Sequence, residues 1–544
     1  MVLKDRGDFE MNRNSGNGAR MLSRLVRLGA FLLMILALNW TPAFVPLVRA
    51  TSEDKRNDTK EKLFRSAKKS MRAGKYADAL KIYSEAIAAD QHDLPAILGA
   101  SFASLKMLDY LQSFERAMEA LKLDQNNSRA HAIAGVSLLR SGFVRAAIGE
   151  LSKSLELNPK EALAFGGAAE IDYYEGRPKE SRERSFYAHN LDPDEPDYLV
   201  TYARASSRLE DFKEAADAYE AYLAIAPLSD HERRDRIKGL IQFYRQLAGL
   251  QIHQVSGDMV TDAPFRLGTD RRPYVQVKLN GRDATFVVDT GSGFTVISKE
   301  AAKRFGVSEL ARGGKSQGVG GSGKFQIVYG LIKSMQIGGV RVRMVPCFIR
   351  PFHGAADRPK DERAEGFIGL SILSHFLTEL DYKESRMRLD RSDNRSPIAV
   401  TSGTIIPFRT TQNGLISVET EFEGNHFVNA IVDSGASSTV ISQAAVERLK
   451  LTDQIIKGQT TNVIGAAGIT ENVQMLFVRK CRVADALQNN LRALVLDFGA
   501  INETSGFEQG GILGGDFLRH YRLTIDFSRA QLALQPHTPA ATSQ

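Results

Sequence analysis

Residues 288–292 read VDTGS, and residues 432–436 read VDSGA. Each string places an aspartate directly after an apolar run and follows it with a small hydroxyl residue and a glycine. The match continues downstream, because VIS stands at 296–298 and again, at the same offset, at 440–442. One such string is common by chance, but two copies with matched surroundings indicate a tandem duplication.

The duplication extends through each half of this region. After Asp289 comes FIG, which ends at Gly369, and after Asp433 comes ILG, which ends at Gly514. The dipeptides LD at 380–381 and ID at 525–526 then place further acids at matching distances. A single inserted residue in the second half accounts for all of the drift, so each half contributes one aspartate in an equivalent setting.

Two aspartates related in this way predict a particular chemistry. Like charges about 3 Å apart cannot both be ionised, so two such carboxylates share one proton. One carboxylate then acts as a base toward water while the other acts as an acid. We therefore predict that Asp289 and Asp433 form a catalytic pair.

On these motifs, residues 270–535 resemble the aspartic proteases, and specifically two fused retropepsin-like lobes. The resemblance implies an all-β fold, an aspartic endopeptidase activity, and a single-chain pseudodimer. It also implies that the residues after each aspartate form a supporting loop, which comprises Thr290, Gly291, Ser292, Ser434, Gly435 and Ala436.

The loop residues have distinct expected roles. Thr290 and Ser434 are expected to hydrogen-bond across the pseudo-twofold axis, and the two glycines to let the backbone approach the carboxylates. Ser292 replaces the alanine of the second copy, and its hydroxyl is expected to favour ionisation of Asp289.

Glycine-rich strings follow each aspartate at similar distances. In retropepsin-like enzymes a mobile β-hairpin flap lies about this far along the chain, so the glycines are flap candidates; an ordinary hairpin turn is the alternative. The candidates are Gly320, Gly321, Gly323, Gly465 and Gly468.

A second repeat, with a period of about 34 residues, covers positions 60–227. Small residues recur at this spacing in two series, and proline closes the later repeats at Pro159, Pro193 and Pro227. The pattern resembles the tetratricopeptide repeat, in which two helices cross closely at small residues. It predicts five repeats and about ten helices with a concave face. Residues 229–250 predict one further amphipathic helix that caps the last repeat, and residues 251–270 predict a linker.

Composition excludes several classes of function. The formal charge is +7, but residues 1–50 contain seven basic and three acidic side chains, so +4 comes from that segment. We therefore predict no nucleic-acid partner.

No cysteine or histidine grouping has zinc spacing, so neither a metal nor another cofactor is predicted. The matched residues His375 and His520 are expected to be structural. Whether Cys347 and Cys481 form a disulfide stays open.

Residues 1–50 have the order of an export signal. Three arginines precede an apolar run at 28–38, and small residues end the segment at Ala50. Cleavage after Ala50 and an uncleaved signal anchor both remain open. Either predicts an exported protein, in the periplasm or anchored to the outer leaflet of the inner membrane, with membrane contact only if the segment stays attached.

These patterns predict a multidomain chain with an all-α tetratricopeptide solenoid followed by an all-β aspartic protease fold. The predicted segments are a signal segment at 1–50, a linker at 51–59, repeats at 60–228, a capping helix and linker at 229–257, lobe 1 at 258–395, lobe 2 at 396–538 and a tail at 539–544. The expected function is an exported endopeptidase that cleaves a peptide or protein substrate. The repeats would recruit that substrate, or a protein partner, on their concave face. The alternative is a catalytically silent, peptide-binding scaffold of the cell envelope.

The N-terminal segment yields a testable prediction. Fractionation of expressing cells should place the chain outside the cytoplasm, and N-terminal sequencing of a cleaved form should begin at Thr51. A full-length chain recovered in the soluble cytoplasmic fraction would contradict the prediction.

Overall fold

The computed structural model describes residues 52–320, 324–353, 359, 362–392, 404–424 and 426–537. The predicted signal segment, the proposed cleavage point, the tail at 539–544, and two of the flap candidates, Gly321 and Gly323, lie outside these residues. The chain divides into two compact units, Met1–Arg56 and Asn57–Gln544. Among the described helices, none has the length and apolar character that a membrane span needs.

The first part of the described chain is helical. Its helices are α1 (Ser52–Arg72), α2 (Tyr76–Ala89), α3 (Leu94–Lys106), α4 (Tyr110–Leu123), α5 (Ser128–Arg140), α6 (Val144–Leu157), α7 (Ala162–Tyr174), α8 (Pro178–Leu191), α9 (Asp197–Arg208), α10 (Phe212–Ile225) and α11 (His231–Leu247). From α2 to α11, consecutive helices pack against one another, and α3, α5, α7 and α9 also contact each other in series. This is the stacking of a helical-repeat solenoid, as predicted.

The repeat period has a clear packing basis. Both series of small residues lie at the helix crossings, and all of them are buried: Ala67, Ser101, Gly135, Ala169, Ala203, Ala79, Ser113, Ala147, Ser181 and Ala215. A larger side chain has no room at such a crossing, since a Cβ at Gly135 would already lie 2.7 Å from Leu151.

The turn inside each helix pair follows the same period. Gly74, Gly142 and Gly176 have φ values of +73°, +83° and +75° there. The matching positions of the second and fifth repeats are Leu108 and Glu210, which adopt φ values of +66° and +62°. Left-handed backbone is unfavourable for such side chains, so the packing of the repeats holds these two turns.

The rest of the described chain is built mainly of strands. These are β1 (Gln254–Gly257), β2 (Val260–Leu267), β3 (Pro273–Leu279), β4 (Arg282–Val288), β5 (Thr295–Ser298), β6 (Ser308–Gln317), β7 (Lys324–Ile337), β8 (Val340–Arg350), β9 (Gly366–Ile368), β10 (Leu377–Asp381), β11 (Arg386–Asp390), β12 (Ile405–Pro407), β13 (Arg409–Thr410), β14 (Ile416–Phe422), β15 (His426–Val432), β16 (Val440–Ser442), β17 (Ile455–Gly465), β18 (Gly468–Val483), β19 (Ala486–Leu496), β20 (Gly511–Leu513), β21 (Tyr521–Asp526) and β22 (Gln531–Pro536). Short helices lie between them: α12 (Lys299–Phe305), α13 (Leu370–Leu373), α14 (Gln443–Arg448), α15 (Gly499–Ser505) and α16 (Gly515–Leu518). The predicted fold class, a helical solenoid followed by two all-β lobes, is confirmed.

The two lobes share one topology. In lobe 1, β9 lies between β4, to which it is parallel, and β5, to which it is antiparallel. In lobe 2, β20 occupies the same position between β15 and β16. Each aspartate follows the strand that pairs in parallel with this inserted strand, so the fold delivers both acids to equivalent loops.

A sheet that runs across the lobes relates them by symmetry. The duplicated strands β10 and β21 pair antiparallel, with Thr378 opposite Ile525 and Leu380 opposite Leu523. In the duplication, Thr378 corresponds to Leu523 and Leu380 corresponds to Ile525. If each residue of the first pair is replaced by its counterpart in the other lobe, the second pair results. The pseudo-twofold axis therefore passes between these two strands, and their hydrogen bonds fix the lobes against each other.

The segment predicted as a linker is part of lobe 1. Residues 254–257 form β1, which pairs with β8, and residues 260–267 form β2, which pairs with β3 and β11. The linker prediction for 251–270 was wrong over these strands, and of the two only β2 lies within the segment predicted as lobe 1, 258–395. The reason is that β8 and β11 lie far along the chain, where a local pattern does not reveal them as partners.

Helix α11 does more than cap the repeats. It packs on α10 on one side and on β6 of lobe 1 on the other. The ring of Phe243 stacks on Tyr329 of lobe 1 with centroids 4.4 Å apart. The backbones also meet closely, because a Cβ at Gly239 would collide with Gly313. The helix therefore joins solenoid and lobe 1 in one apolar core.

Lobe 2 also packs against the solenoid. The Phe507 ring lies 5.1 Å from the Tyr174 ring and belongs to the apolar cluster of the repeats. Arg140 donates from Nη1 to the carbonyl of Gly506 at 2.8 Å, and the Arg140 carbonyl accepts the N–H of Glu508 at 2.9 Å. The solenoid and the lobes thus share packed surfaces, whereas the sequence had suggested modules joined by a linker.

This packing predicts that Phe507→Ala destabilises the protein. Phe507 is 2% exposed, so its truncation removes buried apolar surface and leaves a cavity, which costs about 3–5 kcal/mol in the free energy of unfolding. Urea unfolding followed by circular dichroism measures the change. Phe427→Ala, at a site 53% exposed, is the control and should cost only about 0.5 kcal/mol. Equal losses in the two variants would show that the Phe507 contact is not stabilising.

Candidate functional site

The two aspartates stand on loops that the inserted strands support. The N–H of Asp289 donates to the carbonyl of Ile368 at 3.0 Å, and the N–H of Asp433 donates to that of Leu513 at 3.0 Å. The glycine after each inserted strand lies directly under its loop. A Cβ at Gly369, for example, would collide with the carbonyl of Phe294.

Reciprocal hydrogen bonds join the two loops across the axis. The N–H of Thr290 donates to Ser434 Oγ at 3.1 Å, and the N–H of Ser434 donates to Thr290 Oγ1 at 2.9 Å. Each hydroxyl then donates to the opposite strand, Thr290 to the carbonyl of Val432 and Ser434 to that of Val288, both at 2.7 Å. Both side chains are fully buried, so these bonds are protected from competition with water.

The glycine of each motif faces the aspartate of the other. A Cβ at Gly291 would collide with the Asp433 carboxylate, and a Cβ at Gly435 would collide with the Asp289 carboxylate. Only a residue without a side chain permits this approach. The structure therefore brings together the residues that the sequence nominated as the pair and its supporting loops.

The two carboxylates are hydrogen-bonded to each other, and burial raises the pKa of both. The pKa of Asp289 is raised well above its usual range, first by desolvation and then by the nearby charge of Asp433. The pKa of Asp433 is raised less than that of Asp289. The hydrogen bond from Asp289 and the N–H groups of Gly435 and Ala436 stabilise the ionised form of Asp433 and so offset part of the effect of burial. These N–H groups donate to Asp433 Oδ1 at 2.8 and 3.0 Å, whereas the Asp289 carboxylate accepts a single backbone N–H among the described residues, that of Gly291 at 2.9 Å. This arrangement favours a protonated Asp289 and an ionised Asp433.

The expected role of Ser292 was wrong. Its hydroxyl donates to the carbonyl of Phe294 at 2.7 Å and so is directed into its own loop. The carboxylate of Asp289 therefore gains no hydroxyl donor from it. The asymmetry between the lobes comes instead from a backbone N–H of the second loop.

The three described flap candidates, Gly320, Gly465 and Gly468, lie at the ends of two hairpins that contact each other. One hairpin is β6–β7 and the other is β17–β18. The N–H of Ala467 donates to the carbonyl of Val319 at 2.9 Å. Gly320 lies against the carbonyl of Gly468, and Gly465 against that of Val319, so closely that a Cβ at either glycine would collide. The described parts of the two tips thus hold each other.

Two arginines that the sequence did not single out lie beside the pair. Arg350 donates from Nη1 to the carbonyl of Ala466 at 3.0 Å; burial lowers its pKa, and the negative charge of Asp289 partly offsets that effect. It therefore lies between the acid and a flap tip. Arg272 lowers the pKa of both aspartates against the larger effect of burial, and it donates to Asp270 at 2.7 Å. Arginine is too common for sequence alone to have identified either.

These positive charges come from one lobe only. Arg350 pairs with Ser298 in β8–β5, and the matching register of lobe 2 places Leu496 opposite Ser442. The surroundings of the pair are therefore basic on the side of lobe 1 and apolar at the equivalent place in lobe 2.

Cys347 and Cys481 are both free and buried. Burial raises the pKa of each thiol, so neither is an activated nucleophile. The two matched histidines differ in surroundings: His375 lies with His253 and Glu210, in a group with the donor types and spacing of a metal site. These residues are far apart in sequence, which is why no spacing rule found them.

A cavity of about 1750 Å³ lies between the solenoid and the lobes. Its lining includes Phe102 and Tyr198 of the solenoid, Phe294 and His375 of lobe 1, and Phe507 of lobe 2. The first helices of the repeat pairs thus face the protein's own lobes across this space. The paired aspartates are not in its lining.

Comparison with known proteins agrees with this geometry. The family model described as aspartyl protease matches twice, over residues 275–372 and 418–517. Each match spans one aspartate motif and its inserted strand. The C-terminal region of the chain therefore contains two matches to the aspartyl protease model, one in each lobe. A search among curated proteins found no match.

Several solved structures are similar to part of the chain. A thermophilic TPR protein of Thermus thermophilus is 17% identical, with 35% of this chain and 100% of that chain covered and a TM-score of 0.29. MamA is 18% identical, with coverage of 29% and 92% and a TM-score of 0.22. A chain of the APC/C hetero-tetramer Cut9–Hcn1 is 14% identical, with coverage of 36% and 38% and a TM-score of 0.30. These scores are low, so the solenoid assignment rests on the helices and the period of their small residues.

The raised pKa of Asp289 predicts a pH-dependent effect of Asp289→Asn. A group whose pKa is higher in the folded than in the unfolded state contributes stability at low pH that is lost as pH rises. Asparagine cannot ionise and keeps the acceptor for Gly291. The variant should therefore gain melting temperature over the wild type, and more at pH 8 than at about pH 4.

Thermal unfolding across pH measures this difference. Asp283→Asn, which removes a carboxylate 79% exposed, is the control and should show no such trend. A difference between Asp289→Asn and the wild type that is constant with pH would contradict a shared, buried proton.

Proposed function

We propose that the protein is an exported aspartic endopeptidase that hydrolyses peptide bonds with water activated by Asp289 and Asp433. The single observation that carries the proposal is the hydrogen-bonded carboxylate pair held by the reciprocal Thr290–Ser434 bonds. A duplicated β-domain without a catalytic role has no need of this pairing, because two buried acids in contact cost stability.

The proposed mechanism assigns one role to each acid. Asp433 is ionised and takes a proton from the water as the water attacks the scissile carbonyl. Asp289 is protonated and donates to the carbonyl oxygen, which stabilises the tetrahedral intermediate. When the intermediate breaks down, the proton that Asp433 took from the water passes to the leaving amine, and Asp289 takes back its own proton. The backbone donors on Asp433 support this direction, because they stabilise its negative charge.

The hairpins support an extended peptide as substrate. The tips interact through backbone groups such as the Ala467 N–H and the Val319 carbonyl. A peptide in extended conformation offers the same donors and acceptors, so it can replace these contacts when the tips separate. Arg350 adds a positive charge on the lobe 1 side of the bound segment.

The repeats are proposed to recruit the substrate or a protein partner. Support comes from the cavity, since solenoid and lobes line it together and a segment held there lies beside the lobes. Tethering of this kind raises the effective concentration of a neighbouring cleavage site. Location in the periplasm or on the outer leaflet of the inner membrane is proposed from the N-terminal sequence alone.

Cleavage by purified variants tests the proposal. The full chain is incubated with casein and with a peptide library at acidic to neutral pH, with and without a pepstatin-type inhibitor. We expect Asp289→Asn and Asp433→Asn each to lose turnover by on the order of 10⁴-fold, because each lobe supplies one acid and neither acts alone.

Asp283→Asn is again the control and should keep wild-type turnover. Substantial activity in Asp289→Asn or in Asp433→Asn would rule out the two-acid mechanism. A folded wild-type chain that binds library peptides without cleaving them would favour the silent scaffold instead.

A further inference from the structure

Glu210, His253 and His375 form a cluster outside the proposed catalytic pair. Their ligand atoms all lie within 4.8 Å of one another. We propose that these three side chains bind one Zn²⁺ ion, with the fourth position open to water. The inference does not depend on the proposed protease function.

The spacing of the cluster fits a tetrahedral ion. Ligand atoms about 2 Å from zinc at tetrahedral angles lie about 3.3 Å apart. Glu210 Oε1 and His253 Nδ1 are already 3.6 Å apart, and the His253 and His375 ring centroids are 4.7 Å apart. Small side-chain rotations therefore bring the three donors to a shared centre.

His253 supplies an independent indication of a missing ligand. Its side chain is only 9% exposed, and neither ring nitrogen has a hydrogen-bond partner among the described residues. A buried polar group without a hydrogen-bond partner is costly and uncommon in native proteins. The ring lines the large cavity, as do Glu210 and His375, so an ion and its water ligand have a route to the site.

The donors come from three separate parts of the fold. Glu210 stands in the turn between α9 and α10, His253 lies between α11 and β1, and His375 follows α13. The backbone fixes His253, because its N–H donates to the carbonyl of Met344 at 3.1 Å. A bound ion would therefore fasten the last repeat to lobe 1 rather than close a local loop.

The donor set selects the metal. Two imidazoles and one carboxylate are the His₂Glu set that binds zinc with an open fourth position. Calcium and magnesium prefer sites made wholly of oxygen ligands. Both cysteines are buried elsewhere, so no thiolate competes for a softer metal.

The site also connects to the catalytic loop. Helix α13, which His375 follows, donates its N–H groups from Leu370 and Ser371 to the carbonyls of Ser292 and Gly293 at 2.8 and 2.9 Å. An ion at His375 thus restrains an element on which the Asp289 loop rests. We expect zinc to raise the melting temperature of the whole chain, because it binds the folded form only.

The experiment uses the full chain without a histidine tag, freed of metal by a chelator. Zinc is titrated against a chromogenic competitor, and elemental analysis gives the bound metal per chain. The wild type should bind one zinc ion and gain melting temperature. His253→Gln and His375→Gln should each lose at least about 100-fold in affinity, since each removes a direct ligand.

Glu210→Gln tests whether a loss of zinc binding comes from misfolding. The variant is expected to fold normally, because the Glu210 side chain is 46% exposed and the change is isosteric. It should weaken zinc binding by at least about 10-fold without altering the circular dichroism spectrum. His520→Gln is the matched control, because it changes the lobe 2 counterpart of His375, and it should bind zinc as the wild type does.

Two outcomes would overturn the proposal. One is a wild-type chain that retains no zinc after dialysis and shows no shift in melting temperature. The other is zinc binding that Glu210→Gln, His253→Gln and His375→Gln leave unchanged, which would place the ion elsewhere.

Discussion

The reciprocal hydrogen bonds between Thr290 and Ser434 are the interaction on which the site depends. They join two loops from sequence-distant lobes, and every bond is buried. They hold the two loops at the distance at which the carboxylates share one proton, although burial of the two acids in contact is unfavourable. The bonds thus oppose the electrostatic cost of the pair, and the inserted strands beneath the loops hold both ends in place.

Duplication supplied two equal halves, but the surroundings of the two acids are unequal. Asp433 accepts two backbone N–H groups where Asp289 accepts one, and Arg350 has Leu496 as its lobe 2 counterpart. A fixed position for the shared proton requires this kind of inequality, since identical sites would hold it with equal preference. Small differences in backbone geometry therefore assign roles that the matched motifs leave equal.

The solenoid is built into the protein rather than attached to it. Phe243 stacks on Tyr329 of lobe 1, and Phe507 of lobe 2 enters the apolar cluster of the repeats. These contacts leave the inner faces of the repeats directed at the lobes across a cavity. Recruitment by the repeats would thus take place next to the lobes, and any ligand bound there would affect both parts of the chain.

The sequence by itself determined the two repeats, the fold class, and the identity of the paired aspartates. Periodic packing and duplicated motifs place similar residues at fixed spacings, which can be counted along the chain. The sequence did not reveal that residues 254–267 contain two strands, that the Ser292 hydroxyl turns away from Asp289, or that His253 and His375 meet Glu210. Only the tertiary structure decided these points. Each depends on how the chain packs in three dimensions, which selects partners that the neighbouring residues in the sequence do not specify.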